Sequence, residues 1–196
     1  MHLRNAVSVG SARRATLAVV TVDNEKSVAQ IMVALAASIA RGGRKVVLTD
    51  LCPGAPAARQ LGFGGRGVEN LSVDGITLAV SVPADDDPMP IGPLRGSRVE
   101  ASADDAYKSA DVVLTLVSLD PSAGAESLPT WSSRAVMVVT AGRSSWLRLR
   151  AVSELVRLSG TSVQSTILVG ADKTDDSLGT GHPDPARPPV SPVGGF

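Results

Sequence analysis

Four short runs, ATLAVVTV (15–22), KVVLTD (45–50), DVVLTLVSL (111–119) and RAVMVVTAG (134–142), are continuous, apolar and rich in valine. Such a run suits a strand buried on both faces, a condition met mainly in parallel sheets covered by helices. A fifth run, VQSTILVGA (163–171), follows a helical pattern. Between the first two runs, Ser27 to Arg41 places Val28, Ile31, Met32, Leu35 and Ile39 on one helical stripe, and Gly42-Gly43 ends it. Ser145 to Leu158 repeats the pattern with Leu147, Leu149, Val152, Leu155, Val156 and Leu158, closed by Gly160. Strands alternating with helices imply right-handed crossovers, so the expected fold class is α/β, a doubly wound and mostly parallel β-sheet with helices on both faces.

The middle of the chain is less regular. ITLAVSVP (76–83) alternates like a strand, ADDDPMPIGPLRG (84–96) reads as a proline-rich surface loop, and SADDAYKSA (102–110) suits a short helix capped by Ser102. ADDD is read as a solvated acidic turn, not a metal site. The opening MHLRNAVSVGSARR (1–14) lacks the apolar centre of a signal peptide and reads as a flexible arm. GHPDPARPPVSPVGGF (181–196) is dominated by proline and glycine and is expected to be disordered, which leaves 15–180 as one α/β domain.

Charge and composition exclude several function classes. Nineteen basic and nineteen acidic residues cancel, so no general field draws the chain to nucleic acid or to an anionic membrane surface. One cysteine, Cys52, excludes an internal disulfide and a multi-cysteine metal site, which suits a reducing cytoplasm. The two histidines, His2 and His182, lie near the ends, which argues against histidine-centred hydrolysis. No apolar run reaches the ~18 residues of a membrane span, so no direct insertion is expected.

The chemistry concentrates in the loop after the first strand, VDNEKS. In a P-loop, glycines let backbone N–H groups converge on phosphates, a lysine reaches the outer oxygens and a hydroxyl holds magnesium. Lys26 and Ser27 stand where that lysine and hydroxyl would stand, but Glu25 takes the place of the preceding glycine and Asp23-Asn24 come before it. Two like charges ~4 Å apart repel by about 1 kcal/mol in water and about 4 kcal/mol at the effective dielectric of a protein surface. The alternative needs no ligand: Asp23 or Asn24 caps the helix, and Glu25 places an anion by the positive end of its dipole.

The order of elements resembles a family. LAVVTVDNEKSVAQIMVALAASIARGGRKVVLTDLCPGAPAARQLG, then ADVVLTLVSLDP, AVMVVTAGRSSWLRLRAVSELVRLSG and STILVGADKTDDSLG, is similar to the cytoplasmic ATPase domain of bacterial polysaccharide co-polymerases and tyrosine autokinases. These belong to the deviant P-loop group of MinD and ParA, and the likeness spans about residues 15–180, closest to actinobacterial exopolysaccharide or chain-length-determinant proteins. The resemblance implies that Asp50 is the first acid of an Asp-x-Asp motif organising magnesium, whose second acid is replaced by Cys52. It implies a third motif in which an apolar strand ends in a magnesium-holding aspartate. Thr115 and Leu116 stand near that place, and Asp120 is either a displaced version or an ordinary turn acid. Asp172 and Lys173, with Asp175, match a loop that lies near the nucleotide base in the family. Arg143-Ser144-Ser145 opens a helix at the same sheet edge, where ligands sit in doubly wound folds, and helix capping by Ser144 or Ser145 explains it equally. The family's tyrosine-rich tail is missing, because the one tyrosine is Tyr107.

The expected function is a catalytically silent pseudo-ATPase, a regulatory or interaction module in exopolysaccharide or capsule biosynthesis and chain-length control. It would be cytoplasmic, with partners in a membrane polysaccharide assembly system, no cofactor and no metal, and with association at the inner membrane face or as a homo-oligomer left open. The alternative is an ATPase of unusual motifs in which Lys26, Ser27, Asp50 and Asp120 hold Mg-ATP. Tyrosine kinase activity is not expected. A partitioning protein acting on DNA or membrane ranks last, for want of a basic patch or an amphipathic membrane helix.

Overall fold

The computed structural model describes residues 14–73, 75–83, 105–119 and 125–171. The elements in chain order are β1 (Ala15–Thr21), α1 (Glu25–Arg41), β2 (Val46–Asp50), α2 (Pro56–Gln60), β3 (Gly67–Val73), β4 (Ile76–Val82), β5 (Val112–Ser118), α3 (Leu128–Trp131), β6 (Arg134–Thr140), α4 (Trp146–Leu158) and β7 (Ser162–Val169). Residues 105–109 are also helical. The expectations for 1–13, 84–104 and 172–196 lie outside the described residues, as does the Ser102 cap. No helix among the described residues is long and apolar enough to cross a membrane.

The strands form one sheet in the order β3-β4-β2-β5-β1-β6-β7, parallel throughout except for the β3–β4 pair. β1 is central, with Ala15–Thr21 paired along Val112–Ser118 of β5 and Ala18–Thr21 along Ala135–Val138 of β6. Successive side chains of a strand point to opposite faces, and β1 supplies two cores this way. Leu17 and Val19 pack under α1 with Val28, Met32 and Leu35, while Ala18, Val20 and Val22 pack with Val152 and Val156 of α4 and Leu128 of α3. Burial on both faces is why these strands carry no polar alternation.

The helical stripe of α1 is as expected at Val28, Met32, Leu35 and Ile39, whereas Ile31 is half-buried at its margin. Its end follows from glycine: the Gly42 N–H returns to the Ile39 carbonyl at 3.0 Å and Gly43 adopts φ +79°. Two features carried little signal in the sequence. β3 pairs antiparallel with β4 from Gly67–Val82 to Val73–Ile76, closed at Gly75 with φ +77°. As an edge strand carrying Glu69 and Asn70 it lacks the apolar run of the central strands. α2 is five residues long, too short for a periodic stripe.

Candidate functional site

β1 ends at Thr21 and α1 begins at Glu25, so three residues, Val22, Asp23 and Asn24, join them. In the spacing G-x-x-x-x-G-K-[ST] anchored on Lys26 and Ser27, the first glycine position is Val20 and the second is Glu25. Val20 and Thr21 belong to the buried strand, Val22 and Asp23 bend, and Glu25 is already helical, so neither glycine position of the motif lies in an open loop. Val22 is held to the sheet as well, its N–H donating to the Val138 carbonyl at 3.2 Å. With Asp23 in it, Glu25 after it and no glycine, the connection does not fit a phosphate in the manner of a P-loop.

The start of α1 is satisfied from within. Asn24, not Asp23, is the cap: its Oδ1 accepts the Ser27 N–H at 3.2 Å, and its carbonyl accepts from Val28 at 3.1 Å. Glu25 supplies an acid in the first turn, Lys26 is exposed and Ser27 is half-buried. Replacing Asn24 by alanine removes an acceptor that a helix N-terminus needs, so Asn24→Ala is expected to lower the unfolding free energy by about 1 kcal/mol in a urea titration.

Asp23 stands differently. Both its carboxylate oxygens are buried and have no hydrogen-bond partner, and the hydroxyls of Thr21 and Thr140 are in the same condition. Burying a polar group without a partner costs about 1–3 kcal/mol in proteins, and an ionised one costs more.

Asp50 ends β2 at 1% exposure. Its Oδ1 accepts the Cys52 N–H at 3.1 Å, and its Oδ2 accepts from Ala57 at 2.6 Å and Ala58 at 3.2 Å. Those last two N–H groups belong to the first turn of α2, whose own cap residue, Ala55, sits at φ +45° with no side chain to offer. Pro56 opens α2 because that position needs no N–H, and Asp50 provides the anion at its N-terminus. Burial raises the Asp50 pKa above 3.8; the hydrogen bonds from Cys52, Ala58 and Ala57 oppose this, and the charge of Glu25 adds to the rise. Cys52, at the place of the second acid, lies in the core under α1, and burial together with Asp50 and Glu25 holds its thiol protonated.

The remaining candidates separate. Thr115 is buried within β5 opposite Ala18 and Thr49, Leu116 pairs with Val19 and Asp50, and the strand runs on to Ser118. Asp120, Asp172 and Lys173 lie outside the described residues. Ser145 caps α4 by accepting the Arg148 N–H at 3.2 Å, whereas the Ser144 hydroxyl is buried without a partner. Tyr107 is turned inward, its hydroxyl 2.7 Å from Thr49 Oγ1 and its ring 6.3 Å from that of Trp131. Burial raises its pKa, against hydrogen bonds from Ser81 and Thr49 and the charge of Arg14. Among the described residues no group of three or more His, Cys, Asp or Glu converges.

No protein-family model matches this chain, and no curated protein does. Solved structures do. The chimerical protein CapA2B2 superposes with a TM-score of 0.62 at 16% identity, over 85% of this chain and 80% of that one. The kinase domain of Escherichia coli tyrosine kinase ETK gives 0.59 at 16% identity, over 82% and 69%. A ParA family ATPase from Chlorobium tepidum TLS gives 0.53 at 15% identity, over 84% and 78%. The chain therefore has the fold of the P-loop NTPase domains of MinD/ParA type, built here around a three-residue connection without glycine.

Proposed function

We propose that this chain is a catalytically silent relative of those domains, a regulatory or interaction module in bacterial exopolysaccharide or capsule assembly and chain-length control. The observation that carries the silent reading is the three-residue β1–α1 connection, followed at the first position of α1 by Glu25 in place of the glycine before Lys26. The use of Asp50 at the N-terminus of α2 supports it, because that carboxylate already serves three backbone N–H groups. The pairing of the half-buried Tyr107 hydroxyl with Thr49 supports the absence of tyrosine kinase chemistry on this residue. The pathway rests on the sequence resemblance to polysaccharide co-polymerases, including its actinobacterial branch, and on fold likeness to tyrosine kinase domains. In this reading the module is cytoplasmic and reaches the inner membrane face through protein partners of the assembly system. They would dock across the first loop, where related ATPases meet one another.

Calorimetric titration of ATP and ADP, with and without magnesium, tests it beside a melting curve in nucleotide. A ligand at ~100 times its dissociation constant stabilises a fold by about 2.7 kcal/mol, so binding is readily seen. The expected result is no heat and no shift. Saturable magnesium-dependent binding that disappears in Lys26→Ala would overturn the reading in favour of an ATPase holding nucleotide on Lys26, Ser27, Asp50 and Asp120.

A further inference from the structure

The start of α4 carries apolar side chains on the outside of the molecule. Trp146 is 71% exposed and Leu147 is 76% exposed, more than any other large apolar residue among those described. The inward stripe of the helix is complete without them, since Val152 and Val156 are buried against the sheet with Leu149 and Leu155 packed beside them. At 3.6 residues per turn, Trp146 and Leu147 lie four and three positions before Arg150, so the three meet on the face turned away from that stripe. An aromatic and an aliphatic side chain side by side in water, with no use in the core, mark a contact surface.

Cations surround this pair. Arg143, Arg148 and Arg150 are exposed, and no acidic residue occurs from Arg143 to Ser153. Glu154 follows, and Arg157 holds it through two hydrogen bonds. A helix start favours acids, yet the first turn of α4 has none, and Arg148 stands there against the sign of the helix dipole. Helix stability therefore does not account for these residues. The cancellation of nineteen basic and nineteen acidic residues is a sum over the whole chain, whereas the charge at this end of α4 is local and of one sign.

We propose that the start of α4 docks on an anionic lipid surface, with Trp146 and Leu147 entering the headgroup layer and Arg143, Arg148 and Arg150 lying against lipid phosphates. Indole rings settle at the membrane–water boundary, guanidinium groups pair with phosphate oxygens, and an anionic leaflet attracts clustered arginines. A second copy of the chain fits less well, because in a two-fold contact the patch would meet itself and set arginine against arginine. A polyanion without an apolar layer would leave Leu147 in water. The contact is peripheral, since α4 has thirteen residues. It departs from the expectation that the chain lacks a basic patch for membranes. It goes beyond the silent-module reading and does not depend on it, because it uses none of Lys26, Ser27, Asp50 and Asp120.

The test is sedimentation of the full chain, in nucleotide-free buffer, with vesicles of phosphatidylcholine alone or mixed with an equal part of phosphatidylglycerol. Saturable binding to the anionic vesicles, absent with the neutral ones and released by raised salt, is expected. Replacing two charges together, Arg148→Gln with Arg150→Gln, is expected to weaken it about twentyfold, near fivefold for each charge. Trp146→Ser is expected to weaken it about tenfold. All three positions are exposed, so both variants should melt with the wild type. Fluorescence gives a second readout: the other tryptophan, Trp131, is already buried, so a blue shift on adding anionic vesicles reports Trp146. No binding, equal binding to both kinds of vesicle, or binding left intact in both variants would overturn the surface. A dimer that ignores vesicles and is lost in Trp146→Ser would overturn it in favour of a second copy.

Discussion

Asp50→Ala is expected to lower the unfolding free energy by about 3–5 kcal/mol, because it strips the acceptor from three N–H groups at once, two of them in the first turn of α2. For a domain of this size each kcal/mol moves the melting temperature by about 2–4 °C, so a fall of roughly 10 °C should appear in a thermal scan. Asp50→Asn keeps one carbonyl oxygen and is expected to lose about 1–3 kcal/mol. The pH dependence gives a second check. A carboxyl whose folded pKa lies above its unfolded value contributes stability that is full below the unfolded value and is lost as pH rises through the folded one. Burial raises the Asp50 pKa above 3.8. The stability gap between wild type and Asp50→Asn should therefore be widest in acid and narrow as pH rises through that window. A small loss would mean that Asp50 does not anchor α2, whereas a gap that widens with pH would mean that its three N–H bonds outweigh its burial.

Asp23→Ala should act in the opposite direction. It removes two buried oxygens that have no partner, and it is expected to raise the unfolding free energy by about 1–3 kcal/mol. The melting temperature would rise by about 2–12 °C. Asn24 remains to cap α1, so the helix start does not suffer. Denaturant titration of the two proteins measures the difference, and a loss of stability in the variant would show that Asp23 has a partner within the protein. The contrast is informative because Asp50 ends a strand and Asp23 follows one, each ahead of a helix N-terminus. Asp50 is bonded to three N–H groups and Asp23 to none.

The candidate site was legible in part. The substitution of Glu25 for a glycine, and the capping function available to Asn24, are local facts, since an N-cap bonds to residues three positions away. That Asn24 rather than Asp23 does the capping depends on where β1 lets go of the sheet, which is set by Val22 bonding to β6, more than a hundred residues later in sequence. The bonds from Asp50 to Ala57 and Ala58 span seven and eight residues, beyond any cap spacing, and their only local sign was Pro56 at the first position of a helix. Tyr107 was read only as a missing tail tyrosine; its place against Thr49 depends on 105–109 packing over β2 and β5.

The sequence by itself determined the α/β class, all five expected parallel strands, β4, and the two long helices. The four central strands among them are buried on both faces and the helices on one stripe, and burial writes a period of residues that can be read along the chain, whereas β7 is largely exposed. Only the tertiary structure decided the strand order, the antiparallel β3 edge, the point at which β1 leaves the sheet and the different fates of Asp23 and Asp50. These depend on which strands become neighbours, and a carboxylate's energy is fixed by the donors that neighbours bring to it, information that no single segment carries.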